Sequence, residues 1–175
     1  MFFKKYLPEF VYGGTDGAIT TFAVVAGAQG AHLSTSIILI LGCANLIADG
    51  FSMATASYLS TKSQVDLHRY RTDFKEYKRQ GKHPLKTGLA TFGAFIGIGL
   101  IPLLSFLAAL AFPYPETTQF VHSFLLTGLA LAFVGFAKGE IVKKHPLYAA
   151  LETLFIGGIA AGLAYGFGAF IQTIV

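Results

Sequence analysis

The fold is decided by residues 35–60, TSIILILGCANLIADGFSMATASYLS, an apolar run whose single charged side chain is Asp49. About 20 apolar residues suffice for a helix to cross the hydrocarbon core of a membrane. The same character returns in four further stretches, at 10–31, 87–112, 120–138 and 147–172. Because these stretches occupy most of the 175 residues, no soluble catalytic domain fits between them. The sequence therefore predicts an all-α integral membrane protein, with five transmembrane helices in one transmembrane domain, 1–175.

The positive charges lie on one side of these five stretches. All thirteen Lys and Arg residues precede the first stretch or fall in two connections, between the second and third stretches and between the fourth and fifth. Since cytoplasmic loops of membrane proteins are enriched in Lys and Arg, the N-terminus is predicted to be cytoplasmic and the C-terminus non-cytoplasmic. The same rule accounts for the net charge of +4, so no nucleic-acid partner is predicted.

The connection between the second and third stretches is predicted to hold a basic amphipathic helix, at about 61–82, that continues from the second transmembrane helix. Its apolar side chains recur at three- and four-residue steps, at Leu67, Tyr70, Phe74 and Tyr77. Gly81 and Pro84 are expected to end this helix before the third stretch begins.

Asp49 lies well inside the second stretch, where an ionisable side chain is costly and by default indicates a transport site. Asn45, Asp49 and Met53 are four residues apart, so they lie on one face of a helix. A thioether beside a carboxylate suits a borderline divalent ion such as ferrous iron better than magnesium or calcium. Gap-filling packing of Met53 stays an equally good interpretation. One helix cannot complete a metal site, so a second helix or a second subunit must contribute.

Asp16 is the obvious candidate for that contribution. It lies in YGGTDGAITT, residues 12–21, where glycines flank the carboxylate and two threonines follow it. The glycines would let another helix or a ligand approach, with Asp16 facing a polar path. The alternative interpretation is an interfacial, solvated carboxylate about two turns from the start of its helix.

Further polar side chains near the basic ends of the helices are weaker candidates for metal binding. Asp66, His68, Asp73 and Glu76 could collect metal at the cytoplasmic mouth, but their basic neighbours oppose cation binding, and a solvated helix face is the preferred interpretation. Glu152, at the start of the last stretch, is interpreted mainly as a carboxylate favoured by the helix dipole, or as a residue lining the cytoplasmic end of the path.

Glycine and proline positions predict how the helices pack. Small residues at four-residue spacing let membrane helices approach closely. The chain has three such sets, and contact within the chain is preferred over a dimer seam as their explanation: Gly93 with Gly97, Gly135 with Gly139, and Gly158 with Gly162 and Gly166. Pro102 is predicted to kink the third transmembrane helix.

Three segments resemble the vacuolar iron transporter family: DGAITTFAVVAG at 16–27, LILGCANLIADGFSMA at 39–54 and YLSTKS at 58–63. GLIPLL at 99–104 resembles the third span of that family, and the last two spans match loosely. The resemblance covers nearly the whole chain, and it is most specific in the first two spans.

The resemblance implies a five-helix, homodimeric transporter that moves ferrous iron or manganese out of the cytosol in exchange for protons. The metal is then the substrate, and no cofactor is expected. The intramembrane carboxylate of the family carries over to Asp16 and its thioether to Met53. Plant members have a glutamate where this chain has Asn45, and Asp49, one turn further on, is expected to replace it.

The chain departs from that family in the connection after the second span. Members with a metal-binding domain have a long, glutamate-rich helical insert there, whereas this connection is short and basic, with Gln64 and Val65 where acidic residues are expected. The short form is expected in the plasma membrane of a bacterium or archaeon.

The same residues also bear on other function classes. Asp16-Gly17 and Asp49-Gly50 are similar to the Asp-Gly pair of lipid-headgroup transferases, but Ala-Arg does not follow either pair, and the chain has no His-Glu-x-x-His. The chain is therefore not predicted to be an enzyme. A transport-inactive membrane scaffold, and the same fold carrying another cation or a small solute, stay open as alternatives.

Overall fold

A computed structural model describes residues 5–69, 81–112 and 114–174. These residues form the helices α1 Leu7–Gly30, α2 Thr35–Arg69, α3 Pro84–Gly99, α4 Leu104–Ala111, α5 Glu116–Ile141 and α6 Pro146–Gln172. A 3-10 turn at Ile101–Leu103 joins α3 to α4, so these two helices together occupy the third predicted stretch. The described residues contain no strand, which confirms the all-helical prediction for them.

Four helical segments of the described chain are long and apolar enough to cross a membrane: α2, the segment Pro84–Ala111, α5 and α6. α1 has the length, at 24 residues, but it is not among the four. Its polar and glycine-rich part at 12–21 lowers its hydropathy. The predicted transmembrane helices are thus present as helices, and four of the five have the composition of a membrane span.

The position of α1 explains why it tolerates this composition. α1 packs against α2, α3, α5 and α6, most extensively against α3 and α6. Twelve of its 24 residues are buried, whereas only four of the 27 residues of α6 are buried. A helix enclosed by protein can carry polar groups that lipid would not accept. α1 is therefore the central helix of the bundle, and α6 presents most of its apolar surface outward.

Proline marks the start of three helices. Pro8, Pro84 and Pro146 occupy the first turn of α1, α3 and α6, where the missing N–H group leaves no helix hydrogen bond unmade. α2 has no such boundary near residue 60 and continues to Arg69. The part of the predicted basic helix beyond Arg69, at 70–80, lies outside the described residues.

Glycines of α1 admit α3 at very short range. A Cβ atom placed on Gly13 would lie 2.6 Å from the Thr91 carbonyl oxygen, and one on Gly17 would meet the Phe95 carbonyl oxygen even more closely. A Cβ atom on Gly99 would in turn lie 2.8 Å from the Gly17 carbonyl oxygen. The glycines beside Asp16 therefore let another helix approach, as the sequence predicts, and that helix is α3.

The spaced glycine sets divide into two kinds. Gly135 and Gly139 face the start of α6, where added Cβ atoms would lie within 3 Å of Ala149 and Pro146. Intrachain packing is confirmed for this pair. The prediction of intrachain packing is wrong for the other two sets, which lie on outward faces of α3 and α6. An added Cβ atom would meet nothing within 4 Å at any of their glycines: Gly93, Gly97, Gly158, Gly162 and Gly166.

The predicted kink at Pro102 is confirmed as a break between α3 and α4. Pro102 has no N–H group to offer the preceding turn. Its own carbonyl oxygen accepts a hydrogen bond of 2.6 Å from the Ser123 hydroxyl of α5, and this bond is buried. A side chain of a neighbouring helix thus bonds to the backbone at the break.

Ser123→Ala is expected to lower the free energy of unfolding by about 1–2 kcal/mol, because it leaves the buried Pro102 carbonyl without its donor. Thermal unfolding of the purified protein in detergent measures the change. Thr55→Ala is the matched control, since the exposed Thr55 hydroxyl bonds only to Phe51 of its own helix. An equal loss of stability in both variants would contradict this role of Ser123.

Candidate functional site

Asp16 and Asp49 lie on neighbouring helices, α1 and α2, within electrostatic range of each other. The two helices are consecutive, joined by the short connection 31–34, and they pack against each other. Both carboxylates are half-buried. They are close enough for their charges to interact directly across the helix pair. Two carboxylates on neighbouring helices therefore lie within electrostatic range of each other in a largely apolar bundle, where the desolvation of negative charge is costly.

Asn45 lies one turn from Asp49 on α2, and it is also half-buried. Its amide nitrogen is buried and has no hydrogen-bond partner among the described residues. Buried polar groups are seldom left without a partner. The Asn45 amide is therefore suited to contact a group that is not part of the described chain, such as water or a ligand.

Met53 has a different environment from the two carboxylates. Its side chain is 7% exposed and packs in an apolar cluster that includes Phe22, Leu46 and Phe95. This position agrees with the gap-filling interpretation of the residue. The role of the Met53 sulfur as a metal ligand stays a prediction.

A cavity of about 400 Å³ opens beside Asp16 between α1, α5 and α6; we call it the Asp16 cavity. Thr15 of α1 and Thr153 of α6 contribute polar groups to its wall. Glu152 also lines it and pairs with Lys138, whose Nζ lies 3.4 Å from the carboxylate. Because α6 begins at Pro146 and has no acidic residue in its first turn, the interpretation of Glu152 as a helix-start carboxylate is wrong. The alternative interpretation, a residue lining a cavity, describes its position.

A second cavity, of about 550 Å³, lies at the basic end of α1, α2 and α3; we call it the Glu9 cavity. Glu9 is buried, and it pairs with Lys82 of the connection before α3. Sequence reasoning gave Glu9 no role in a site, because a carboxylate beside Pro8 looks like an ordinary helix-start residue. Tyr12 lines both cavities, so the two lie on either side of the same turn of α1.

The weaker candidates near the basic end do not form a metal cluster within the described ranges. Asp66 is exposed and His68 is partly buried near the end of α2, while Asp73 and Glu76 lie outside the described residues. The part of the chain that the structure describes holds no group of three or more His, Cys, Asp and Glu able to bind a metal ion together. A cation at Asp16 and Asp49 would therefore need further oxygen donors from water, from backbone or from a second chain.

A family model described as the VIT family matches residues 7–78 and 69–169. The chain is similar to a vacuolar iron transporter of Toxoplasma gondii, at 29% identity over 98% of this chain and 76% of that protein. A vacuolar iron transporter of Plasmodium berghei shares 25% identity over 97% and 84% of the two chains. Vacuolar iron transporter 1 of Arabidopsis thaliana shares 27% identity over 90% and 82%.

The two matched ranges of the family model overlap at residues 69–78, which begin at the last residue of α2 and continue into the connection before α3. The alignment to the Toxoplasma protein extends over 230 positions, although this chain has only 175 residues. The relative therefore has residues for which this chain has no counterpart. This agrees with the prediction that the connection after α2 lacks an insert.

Proposed function

We propose that this chain, which belongs to the VIT family, transports a divalent transition metal across the membrane through the Asp16–Asp49 pair. The observation that carries this proposal is that two half-buried carboxylates, one on α1 and one on α2, lie within electrostatic range of each other in an apolar bundle. Ferrous iron is the first candidate substrate, since the similar proteins are named iron transporters. Manganese is the second, because oxygen donors suit it equally well.

The charge of the pair supports exchange with protons. Two neighbouring carboxylates in a bundle of low dielectric are costly to keep ionised together without a counter-ion. Either one divalent cation or two protons would neutralise Asp16 and Asp49. Alternating occupancy by these two kinds of ligand would couple metal flux to a proton flux in the opposite direction.

The distribution of charge supports an orientation for this transport. The described Lys and Arg residues all lie at the start of α1, the end of α2, the start of α3, the end of α5 or the start of α6. In a bundle of alternating helices these positions share one end. By the positive-inside rule that end is cytoplasmic, and α1 is the enclosed span among the five. The direction of transport that we propose, out of the cytosol, follows from the resemblance to the family. The short connection after α2 supports a prokaryotic plasma membrane as the location.

A homodimer is part of the proposal. α6 presents most of its surface outward, and glycine sets on α3 and α6 lie open rather than packed within the chain. Small residues of this kind allow close contact between membrane helices.

The test is flux of ferrous iron, manganese, cobalt and zinc in proteoliposomes, with and without a pH gradient. We expect uptake of ferrous iron or manganese, at a rate that rises when the gradient drives protons in the opposite direction. Liposomes without protein are the control. Absence of flux for all four ions would favour a transport-inactive scaffold, and flux that ignores the pH gradient would contradict proton exchange.

A further inference from the structure

Glu9 and Lys82 form an ion pair that is unusual for its burial. The Lys82 Nζ lies 2.7 and 2.9 Å from the two carboxylate oxygens of Glu9, so a single ammonium engages both. The Glu9 side chain is 10% exposed, whereas that of Lys82 is 30% exposed. A buried carboxylate held by one cation becomes costly as soon as that cation leaves, unless another cation or a proton replaces it.

The surroundings of this pair are suited to a hydrated cation. The Glu9 cavity, at about 550 Å³, is large enough to hold several water molecules. Its wall is rich in neutral oxygen atoms from α1, α2 and α3, contributed by Tyr12, Ser57, Ser60, Thr61, Gln64 and Thr87. Apart from Glu9 and Lys82, the residues that line it carry no charge. Hard divalent cations prefer such oxygen donors together with retained water.

We infer that the Glu9 cavity is a second binding site for the transported divalent cation, with Glu9 as its anionic ligand and Lys82 as a built-in competitor. The inference rests on the proposed function for the identity of the cation. In the structure the Lys82 ammonium occupies the position that a metal ion would take beside the carboxylate. A metal ion gains this site when Lys82 moves out into solvent.

The position of Glu9 on α1 links this site to the deeper pair. Glu9 and Asp16 are seven residues apart, which places them on the same face of α1 and about 10 Å apart along its axis. α2 runs past α1 in the opposite direction, and Ser57, Ser60 and Thr61 of α2 line the cavity together with Glu9. Asp49 precedes these residues on α2 and lies within electrostatic range of Asp16. A cation at Glu9 would therefore be two helical turns from the Asp16–Asp49 pair.

Lys82 is placed to act as a competitor because it comes from a connection and not from a helix. The residues immediately before Pro84 have no helical structure, and the partly exposed Lys82 side chain has water available to it. A divalent ion interacts with a carboxylate more strongly than a single ammonium does at equal distance. Lys82 would thus displace bound metal from Glu9 when the cytosolic metal concentration is low, and the metal would displace Lys82 when that concentration is high.

A purely mechanical role for the pair makes a different prediction. The backbone N–H of His83 also lies 3.5 Å from the Tyr6 hydroxyl, so the connection before α3 contacts the start of α1 at two points. If Glu9 and Lys82 only fasten these segments together, removing Lys82 will lower stability and create no cation site.

The experiment measures binding of Mn²⁺ to the purified full chain by the loss of the free-ion electron paramagnetic resonance signal. All variants carry Asp16→Asn and Asp49→Asn, so the deeper pair does not contribute. In this background we expect little binding with Lys82 present. Lys82→Met, and independently Lys82→Gln, should tighten Mn²⁺ binding about tenfold or more, because a positive charge has left the carboxylate. Adding Glu9→Gln should abolish the gain.

Lys86→Met is the matched control, since Lys86 is exposed, lies four residues away and is not among the residues lining the Glu9 cavity. It should leave Mn²⁺ binding unchanged. The inference is overturned if monodisperse Lys82→Met and Lys82→Gln proteins bind no additional Mn²⁺, or if the gain survives Glu9→Gln. Because binding is measured without flux, a failure of the transport proposal shows separately, as absence of flux by the unaltered chain in proteoliposomes.

Discussion

Asp16→Asn is expected to reduce ferrous iron flux about 100-fold or more in proteoliposomes, while the protein still folds and inserts. Asn keeps the size of the side chain and removes the charge that a divalent cation needs. The loss of one partner from a buried charged contact costs about 2–5 kcal/mol, and each 1.4 kcal/mol corresponds to a factor of ten. Because Asp16 and Asp49 act on each other, relief of their repulsion should leave stability equal or slightly higher.

Asp49→Asn should have a similar effect on flux, and the double variant should be little worse than either single one. Residues that act as a unit show this lack of additivity. Asp16→Glu keeps the charge and should retain more activity than Asp16→Asn. Glu116→Gln is the control, since Glu116 is an exposed carboxylate at the start of α5. Full flux by both Asn variants would overturn the assignment of the site.

The two carboxylates of this site could be predicted from the sequence because membrane burial leaves a clear signal. Asp49 is the only charge in its apolar stretch, and the glycines around Asp16 are unusual in a helix that faces lipid. Their proximity follows from two consecutive helices joined by a short connection. Resemblance to a known family pointed to Asp16 independently, whereas Asp49 was expected only as a replacement for a glutamate that plant members have at the position of Asn45.

The Glu9–Lys82 pair could not be predicted in this way. The two residues are 73 positions apart, and each has an ordinary local explanation, Glu9 at a helix start and Lys82 in a basic connection. Their significance comes from the burial of Glu9, which depends on how α1, α2 and the connection before α3 pack. Sequence patterns record which residues are apolar, but they do not record which polar residue packing encloses.

The glycines show the same limit of prediction from sequence. Spacing identifies positions where helices can approach, but it does not say which neighbour approaches. Gly135 faces α6 closely, whereas Gly93 and Gly162 have equivalent spacing and face open space. Hydropathy alone does not identify α1 as a membrane span, because a helix surrounded by protein needs less apolar surface than one exposed to lipid.

Gly17→Ala is expected to prevent normal packing of α1 on α3, with a loss of several kcal/mol in the free energy of unfolding. The added Cβ atom would collide with the backbone of Phe95, which cannot rotate away as a side chain can. Intrinsic helix propensity favours Ala over Gly by only about 1 kcal/mol. Overpacking in a close-packed interior typically costs about 1–3 kcal/mol, and a clash with backbone on an enclosed helix belongs at or above the top of that range.

Gly93→Ala is the matched control, and its effect on the free energy of unfolding should have the opposite sign. It lies on α3, the same helix that Gly17 contacts, but an added Cβ atom there would meet nothing within 4 Å. Only the helix-propensity term remains, so stability should be unchanged or higher by up to about 1 kcal/mol. Thermal unfolding in detergent compares the two variants, with size-exclusion chromatography to register any change in assembly. Equal effects would mean that α1 and α3 are not in close contact, and the placement of Asp16 would then need revision, because Gly17 is its immediate neighbour on α1.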